Sequence, residues 1–286
     1  MRKSLVIVFI CLVGKPSYEQ ILIPSMKGLR TFSMKGTRSK IDSTEEALEK
    51  ISQFRFKAGY MSKVVFVGRN FDVNQFGIAP GLTYHHRSGV NLEYEGNYWS
   101  EMPNRYALTN AGLYYEKSFS DNFYLSTGYW RLFFNNGDRD EGRMFNNYFT
   151  LDGGWLTTLG SISFSYYFIA GTERAHRLDL NLSKSIDLYA ILGADRLSFE
   201  PAFTFMFSTA DYLLFLDDLP DAEVSNPMAF KIANYEFILP VIYRKLRKFE
   251  ITGAWHYARP VNVIQGENLK PFSYLTLEFT RILAFN

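Results

Sequence analysis

The chain has 286 residues, with 31 Lys+Arg against 29 Asp+Glu and a formal charge of +2. That balance excludes the strongly basic field of a general nucleic-acid binder. A mean hydropathy of -0.13 excludes a bundle of transmembrane helices, which needs repeated apolar runs of about 20 residues. Aromatic residues make up 17% of the chain, with 26 Phe and 19 Tyr, and charged residues only 21%.

In chain order, Arg2 and Lys3 precede an apolar run from Leu5 to Val13. This is the charged and hydrophobic pattern of an export signal, too short to cross a bilayer as a helix. Residues 1–20 are therefore read as a signal peptide, ending near Gln20. Cys11, the only cysteine, lies inside it, so disulfides and Cys-ligated metals are not expected in the mature chain.

Residues 21–52 form an extension. Lys27, Arg30, Lys35, Arg38 and Lys40 occur with no intervening acid. Two readings stay open, a solvated linker and a contact with anionic headgroups. Ser43 followed by Glu46 is a capping-box pattern and predicts a short helix over 42–50. So short a helix must dock on something to persist.

From residue 53 onward the pattern has period 2. Leu197, Phe199, Phe203, Phe205 and Phe207 share one face, and Ser198, Glu200, Ala202, Thr204 and Ser208 the other. Leu275, Leu277 and Phe279 alternate with Thr276, Glu278 and Thr280 in the same way. Twelve such segments are predicted: 60–68, 76–84, 90–99, 106–117, 123–134, 144–156, 161–170, 176–184, 196–208, 228–243, 249–258 and 272–285. Many exceed the usual five or six residues of a soluble strand and approach the length that crosses a bilayer obliquely. Connectors after even-numbered segments are mostly shorter than those after odd-numbered ones. Connector 185–195 is the misfit, unless the eighth segment runs on through Leu188. An even strand number with short turns at one end and long loops at the other describes a transmembrane β-barrel. The expected fold is an all-β, antiparallel up-and-down barrel of about twelve strands, with ten to fourteen open, over residues 53–286.

The last segment, Phe272 to Phe285, resembles the C-terminal strand of outer-membrane β-barrel proteins, which alternates apolar residues and ends on an aromatic. Asn286 follows that aromatic, and Arg281 interrupts the apolar face. An outward Arg costs roughly 0–1 kcal/mol near the interface and about 2–4 at the midplane, so its place near the chain end points to the interface. The stretch Gly77 to Gly89 is similar to a hairpin of Bacteroidota-type outer-membrane proteins of unassigned function. The resemblance implies the outer membrane of a Gram-negative (diderm) cell. It further implies that the barrel-assembly machinery reads Phe279, Leu283 and Phe285 during insertion.

Chemistry is less legible. Glu93, Glu95, Asp152, Asp179, Glu200, Glu250 and Glu278 fall on the polar face and are candidate lumen-lining acids. A water-filled lumen so lined favours cations. A packed interior, with acids paired to bases such as Arg177, is the competing reading. Trp99, Trp130, Trp155 and Trp255, with Tyr98, Tyr129 and Tyr257, are candidate members of interfacial aromatic girdles.

His86-Arg87-Ser88 has the spacing of a His–Ser pair, but Ser-Gly after basic residues is ordinary turn chemistry. The other histidines, His85, His176 and His256, form no metal-ligand spacing. The acidic stretch Asp217 to Glu223 is a weak calcium candidate. No cofactor is expected, and no enzyme.

Two functional classes lead. One is a narrow passive pore for small solutes or ions. The other is a non-conducting scaffold that meets a partner through residues 21–52 or the apolar run Tyr212–Leu216. A lipid hydrolase using His86 and Ser88 is third. Membrane lipid is the expected environment, and no nucleic acid is expected.

Overall fold

The computed structural model describes residues 51–65, 69, 75–101, 105–134, 146–171, 174–189, 196–209, 229–245, 248–261 and 269–285. Residues 1–20, read as a signal peptide, the helix expected over 42–50, Tyr212–Leu216 and the Asp217–Glu223 stretch lie outside them.

Fourteen β-segments make one antiparallel sheet. They are β1 (Ser52–Met61), β2 (Gly77–His85), β3 (Val90–Trp99), β4 (Tyr106–Ser120), β5 (Phe123–Phe134), β6 (Asn147–Leu156) and β7 (Ser161–Ala170), then β8 (Arg174–Ser183), β9 (Ile186–Tyr189), β10 (Arg196–Phe199), β11 (Ala202–Thr209), β12 (Phe230–Lys245), β13 (Phe249–Pro260) and β14 (Phe272–Phe285). From β1 to β8 and from β12 to β14 each strand pairs with its neighbour in sequence, while β11 pairs with β8 and β12, and β10 with β9 and β12. The first pairs with the last, Ser52 opposite Phe285 through Met61 opposite Thr276, and this closes the barrel.

The fourteen segments are twelve spanning strands, because β8 runs on into β9 and β10 into β11. Strand β12 shows why. Its first half pairs with β11 and its second half with β10. The break falls at Glu200-Pro201, opposite Pro240. Pro201 and Pro240 carry no N–H, so the ladder is interrupted there. Glu200 N–H still donates to Pro240 O (3.1 Å) and Lys184 N–H to Pro201 O (3.1 Å), which keeps the halves aligned. The eighth strand does continue past Leu188 in pairing with β10.

The first predicted segment is corrected. The strand is Ser52–Met61, not 60–68. Phe54, Phe56 and Tyr60 alternate with Arg55 and Lys57, but Ala58 and Gly59 blur the pattern, while Val64 and Val65 mimic a strand further on. Val64 and Val65 are instead buried in the β1–β2 connection. Val65 packs against Ala258, Tyr274 and Phe272, and the buried Arg69 donates to Val261 O (3.3 Å). Part of this connection therefore folds onto the barrel wall.

Polarity is inverted relative to a soluble protein. One face of each strand exposes large apolar side chains, as in Leu275 (54%), Leu277 (52%) and Phe279 (43%). The other face buries Arg177 (5%), Asn234 (0%) and Glu236 (4%). An apolar exterior that encircles the molecule far exceeds what soluble proteins expose. Hydrocarbon is the medium that matches it, and closure leaves no unpaired edge to meet lipid.

Candidate functional site

The inner wall is the candidate site, and register decides which residues reach it. Residues directly opposite on paired strands share a face. From β1 the inward row runs Lys57–Gly81 and Gly81–Glu95, then Glu95–Asn110 across to β4. On the far side it runs Tyr167–Arg177, Arg177–Ser208 and Ser165–Asp179. It returns to β14 through Ile238–His256 and His256–Tyr274.

By this register Glu93, Glu95, Asp152, Asp179, Glu250 and Glu278 all point inward. Glu200, at the β10–β11 break, shares the parity of Ser198 and Ala202. It accepts a hydrogen bond from Ser185 Oγ (3.2 Å). Glu236 and Asp187 are further inward acids that the alternation read from sequence did not single out.

Most of these acids have a basic partner. Lys57 Nζ meets Glu93 at 2.9 Å. Arg177 grips Asp179 with two N–H donors, at 2.8 and 2.6 Å. Arg196 holds Asp187 likewise, its Nη2 at 2.8 Å from each carboxylate oxygen, while Ser198 Oγ donates to the same group (2.8 Å). Arg244 meets Glu250 at 2.5 Å. Fork-shaped Arg–carboxylate pairs of this kind combine strength with fixed geometry. Glu236 accepts from Tyr274 Oη (2.5 Å) and lies 2.8 Å from His256 Nδ1, whose Nε2 is 3.0 Å from Thr276 Oγ1.

The inward bases Arg55, Lys57, Arg196 and Arg244 were missed by a reading that searched for acids. Their signal was present in the alternation. Arg55 and Lys57 sit between Phe54 and Phe56 and between Phe56 and Ala58, and each has the parity of the polar face.

Several charges keep contact with water. Side-chain exposure is 21% at Lys57, 12% at Glu93, 14% at Asp179 and 19% at Glu250. Another part of the wall is dry. Ala202, Ile238 and Ala254 pack together there, with Ile242 almost fully buried alongside.

Large aromatic rings lie flat on this wall. Trp130 stacks with Tyr114 at 5.7 Å, and the Trp130 ring lies against Gly112 of the neighbouring strand. A β-carbon at Gly112 would stand 2.2 Å from the Trp130 ring, and one at Gly154 would stand 2.2 Å from the Tyr124 ring.

Two girdle assignments are corrected. Trp99 (1% exposed) and Trp130 (7%) face inward, so neither reaches the lipid interface. Trp99 has the parity of Glu93, Glu95 and Asn97. Position near a strand end outweighed parity in the sequence reading. Trp155 (62%), Trp255 (38%), Tyr98 (43%) and Tyr257 (40%) are outward and exposed. Tyr129 is also outward and donates to Asn147 Oδ1 (2.6 Å). Phe279, Leu283 and Phe285 form part of the outer apolar row of β14, and Phe285 stacks with Tyr84.

The His86–Ser88 pair sits in the exposed β2–β3 turn, with Nδ1 and Oγ 2.7 Å apart. Asn91 is engaged by His85 Nδ1 (2.7 Å) and by Gly89 O, so it does not orient His86. Among the described residues, no three His, Cys, Asp or Glu side chains form a metal-binding group.

The sequence matches no protein-family model and no curated protein. Similar solved structures include the KdgM porin, at 9% identity, TM-score 0.44, covering 82% of this chain and 99% of that one. The NanC porin is 12% identical, TM-score 0.46, covering 82% and 100%. An outer membrane channel from Pseudomonas putida F1 is 10% identical, TM-score 0.41, covering 82% and 94%. At such values no residue of those proteins is carried over to this chain.

Proposed function

We propose that this chain is an integral outer-membrane β-barrel of a Gram-negative bacterium, and that its lumen is a narrow passive pore for small solutes or ions. The observation that carries the reading is the inner wall itself. Charged pairs there retain solvent contact, while the inward rings of Trp130 and Tyr124 lie against glycines of neighbouring strands. A barrel of about twelve strands lies between the packed eight-stranded type and the open porins, so wall detail decides whether it conducts.

Orientation follows the usual asymmetry. The start of β1 and the end of β14 lie at the end with the tight turns 86–89, 121–122 and 157–160. Short turns belong to the periplasmic side. Among the described residues the inward acids outnumber the inward bases, which favours cations.

Single-channel recording of the refolded protein in a planar bilayer tests this. Stable cation-preferring steps are expected. Silence from protein shown to be folded and inserted sinks the pore. A second reading, a non-conducting scaffold, draws on the burial of Val64, Val65 and Arg69 at the long-loop end, where Val65 packs on the wall. It predicts that silence, together with partners that co-purify through residues 21–52 or Tyr212–Leu216.

A further inference from the structure

We infer that Glu95, Asn97 and Asn110 form a binding site for a hard divalent cation, calcium, on the inner wall. The inference does not require the lumen to conduct. Glu95 and Asn110 are direct partners across β3 and β4, and Asn97 lies two residues along β3 on the same inward face. Asn97 is fully buried and Glu95 is 7% exposed.

The two amides are poorly satisfied as they stand. Both Nδ2 groups reach the same Glu95 Oε1, at 3.5 Å from Asn97 and 3.4 Å from Asn110. Charge-assisted N–H···O⁻ bonds normally close to about 2.7–2.9 Å. The Oδ1 atoms of Asn97 and Asn110 are buried with no hydrogen-bond partner. Buried amide oxygens seldom go unpaired in native proteins.

A half-turn of each amide exchanges oxygen for nitrogen with no change in shape. Glu95 Oε1 then faces two amide oxygens, about 3.5 Å from that of Asn97 and about 3.4 Å from that of Asn110. Two ligands about 2.4 Å from a shared Ca²⁺ and separated by that distance subtend roughly 90°, which is ordinary coordination geometry. Carboxylate and amide oxygens are the donors calcium takes, and water completes its shell.

The charge also fits. Glu93 flanks the site on β3, and Glu278 lies opposite Gly59 on β14, two residues from Lys57. Lys57 is the ammonium nearest to them and pairs with Glu93. Three carboxylates and one ammonium leave two negative charges, which one divalent ion neutralises. The partial exposure of Lys57 and Glu93 gives the ion a wet approach.

The test is isothermal titration of CaCl₂ into the full-length, refolded protein in a nonionic detergent free of phospholipid. One Ca²⁺ per barrel is expected. Glu95→Gln and Asn97→Leu each weaken it at least tenfold, and Glu250→Gln, which lies at the short-turn end of β13, leaves it unchanged. Folding is checked by heat-dependent electrophoretic mobility. If Asn97→Leu does not fold, Asn110→Ala, at a less buried position, serves in its place and must weaken binding likewise. No heat above the micelle background overturns the inference. So does binding that both asparagine variants leave intact, or equal binding when NaCl replaces CaCl₂.

Discussion

Trp130 lies flat across Gly112 of the neighbouring strand, on the inner face of the barrel. Its ring occupies the place where a β-carbon at 112 would stand, 2.2 Å from Cε3. Glycine at 112 is thus a seat for the indole, and the seat keeps the ring out of the lumen. Gly112→Ala should push Trp130 off the wall. Overpacking of this kind costs about 1–3 kcal/mol. The displaced ring should also lower single-channel conductance. Gly253→Ala is the control, because the nearest atom to a β-carbon there is Leu277 Cδ1 at 3.9 Å. Equal effects of the two substitutions on stability and conductance would sink the seat.

A second prediction concerns Arg196, which is 1% exposed and held by Asp187 through a two-point contact. Asp187→Asn strands a buried guanidinium. Loss of one partner of such a pair costs about 3–5 kcal/mol, whereas replacing both by apolar groups is often neutral. The unfolding midpoint in urea should therefore drop sharply for Asp187→Asn and recover much of the way in Asp187→Leu/Arg196→Met. A double variant no better than the single one would show that the pair is not isolated from its neighbours.

The alternation made the barrel legible, because period 2 with one apolar face is what a wall between lipid and lumen imposes on sequence. Leu197 to Ser208 shows this well. Its apolar set is outward and its polar set inward, even though Pro201 splits the strand in two. Ser52–Met61 was less legible, since Ala58 on its outer face and Gly59 on its inner face interrupt the alternation, while Val64 and Val65 mimic a strand further on. The pairing of charges was legible only within a strand. Arg177 and Asp179 are two apart on one strand, and so are suggestive in sequence. Arg196–Asp187 and Glu236–His256 join different strands, and only register brings them together. Trp99 and Trp130 show the converse failure. Parity held their answer, but the habit of placing tryptophan at interfaces obscured it.

Arg281 supplies a third prediction. It is outward on β14, opposite Phe249 and Phe56, and its Nη1 donates to Lys248 O (3.2 Å) in the tight turn before β13. That contact places it at the short-turn rim, at interface depth. Arg281→Leu should change stability by less than about 1 kcal/mol, whereas Leu277→Arg, deeper on the same face, should cost about 2–4. Reversible refolding into lipid vesicles measures both. A large loss at 281 would mean that the arginine's bond to Lys248, or a role in assembly, outweighs its depth.

The last prediction uses the sign of the charge around Lys57. Its ammonium sits 2.9 Å from Glu93, with Glu95 and Glu278 on adjacent inward positions. Under the pore reading, a permeating ion meets a net negative wall here. One unit charge at roughly 8 Å in a water-like medium is worth about 0.5 kcal/mol, or about a twofold change in permeability ratio. Glu93→Gln should lower cation preference by that factor. Lys57→Met, which removes the ammonium that pairs with Glu93, should raise it. The two substitutions act on one contact yet shift the reversal potential in opposite directions, which general damage to the barrel cannot mimic. Shifts of the same sign, or none, would mean that ions do not pass this point on the wall.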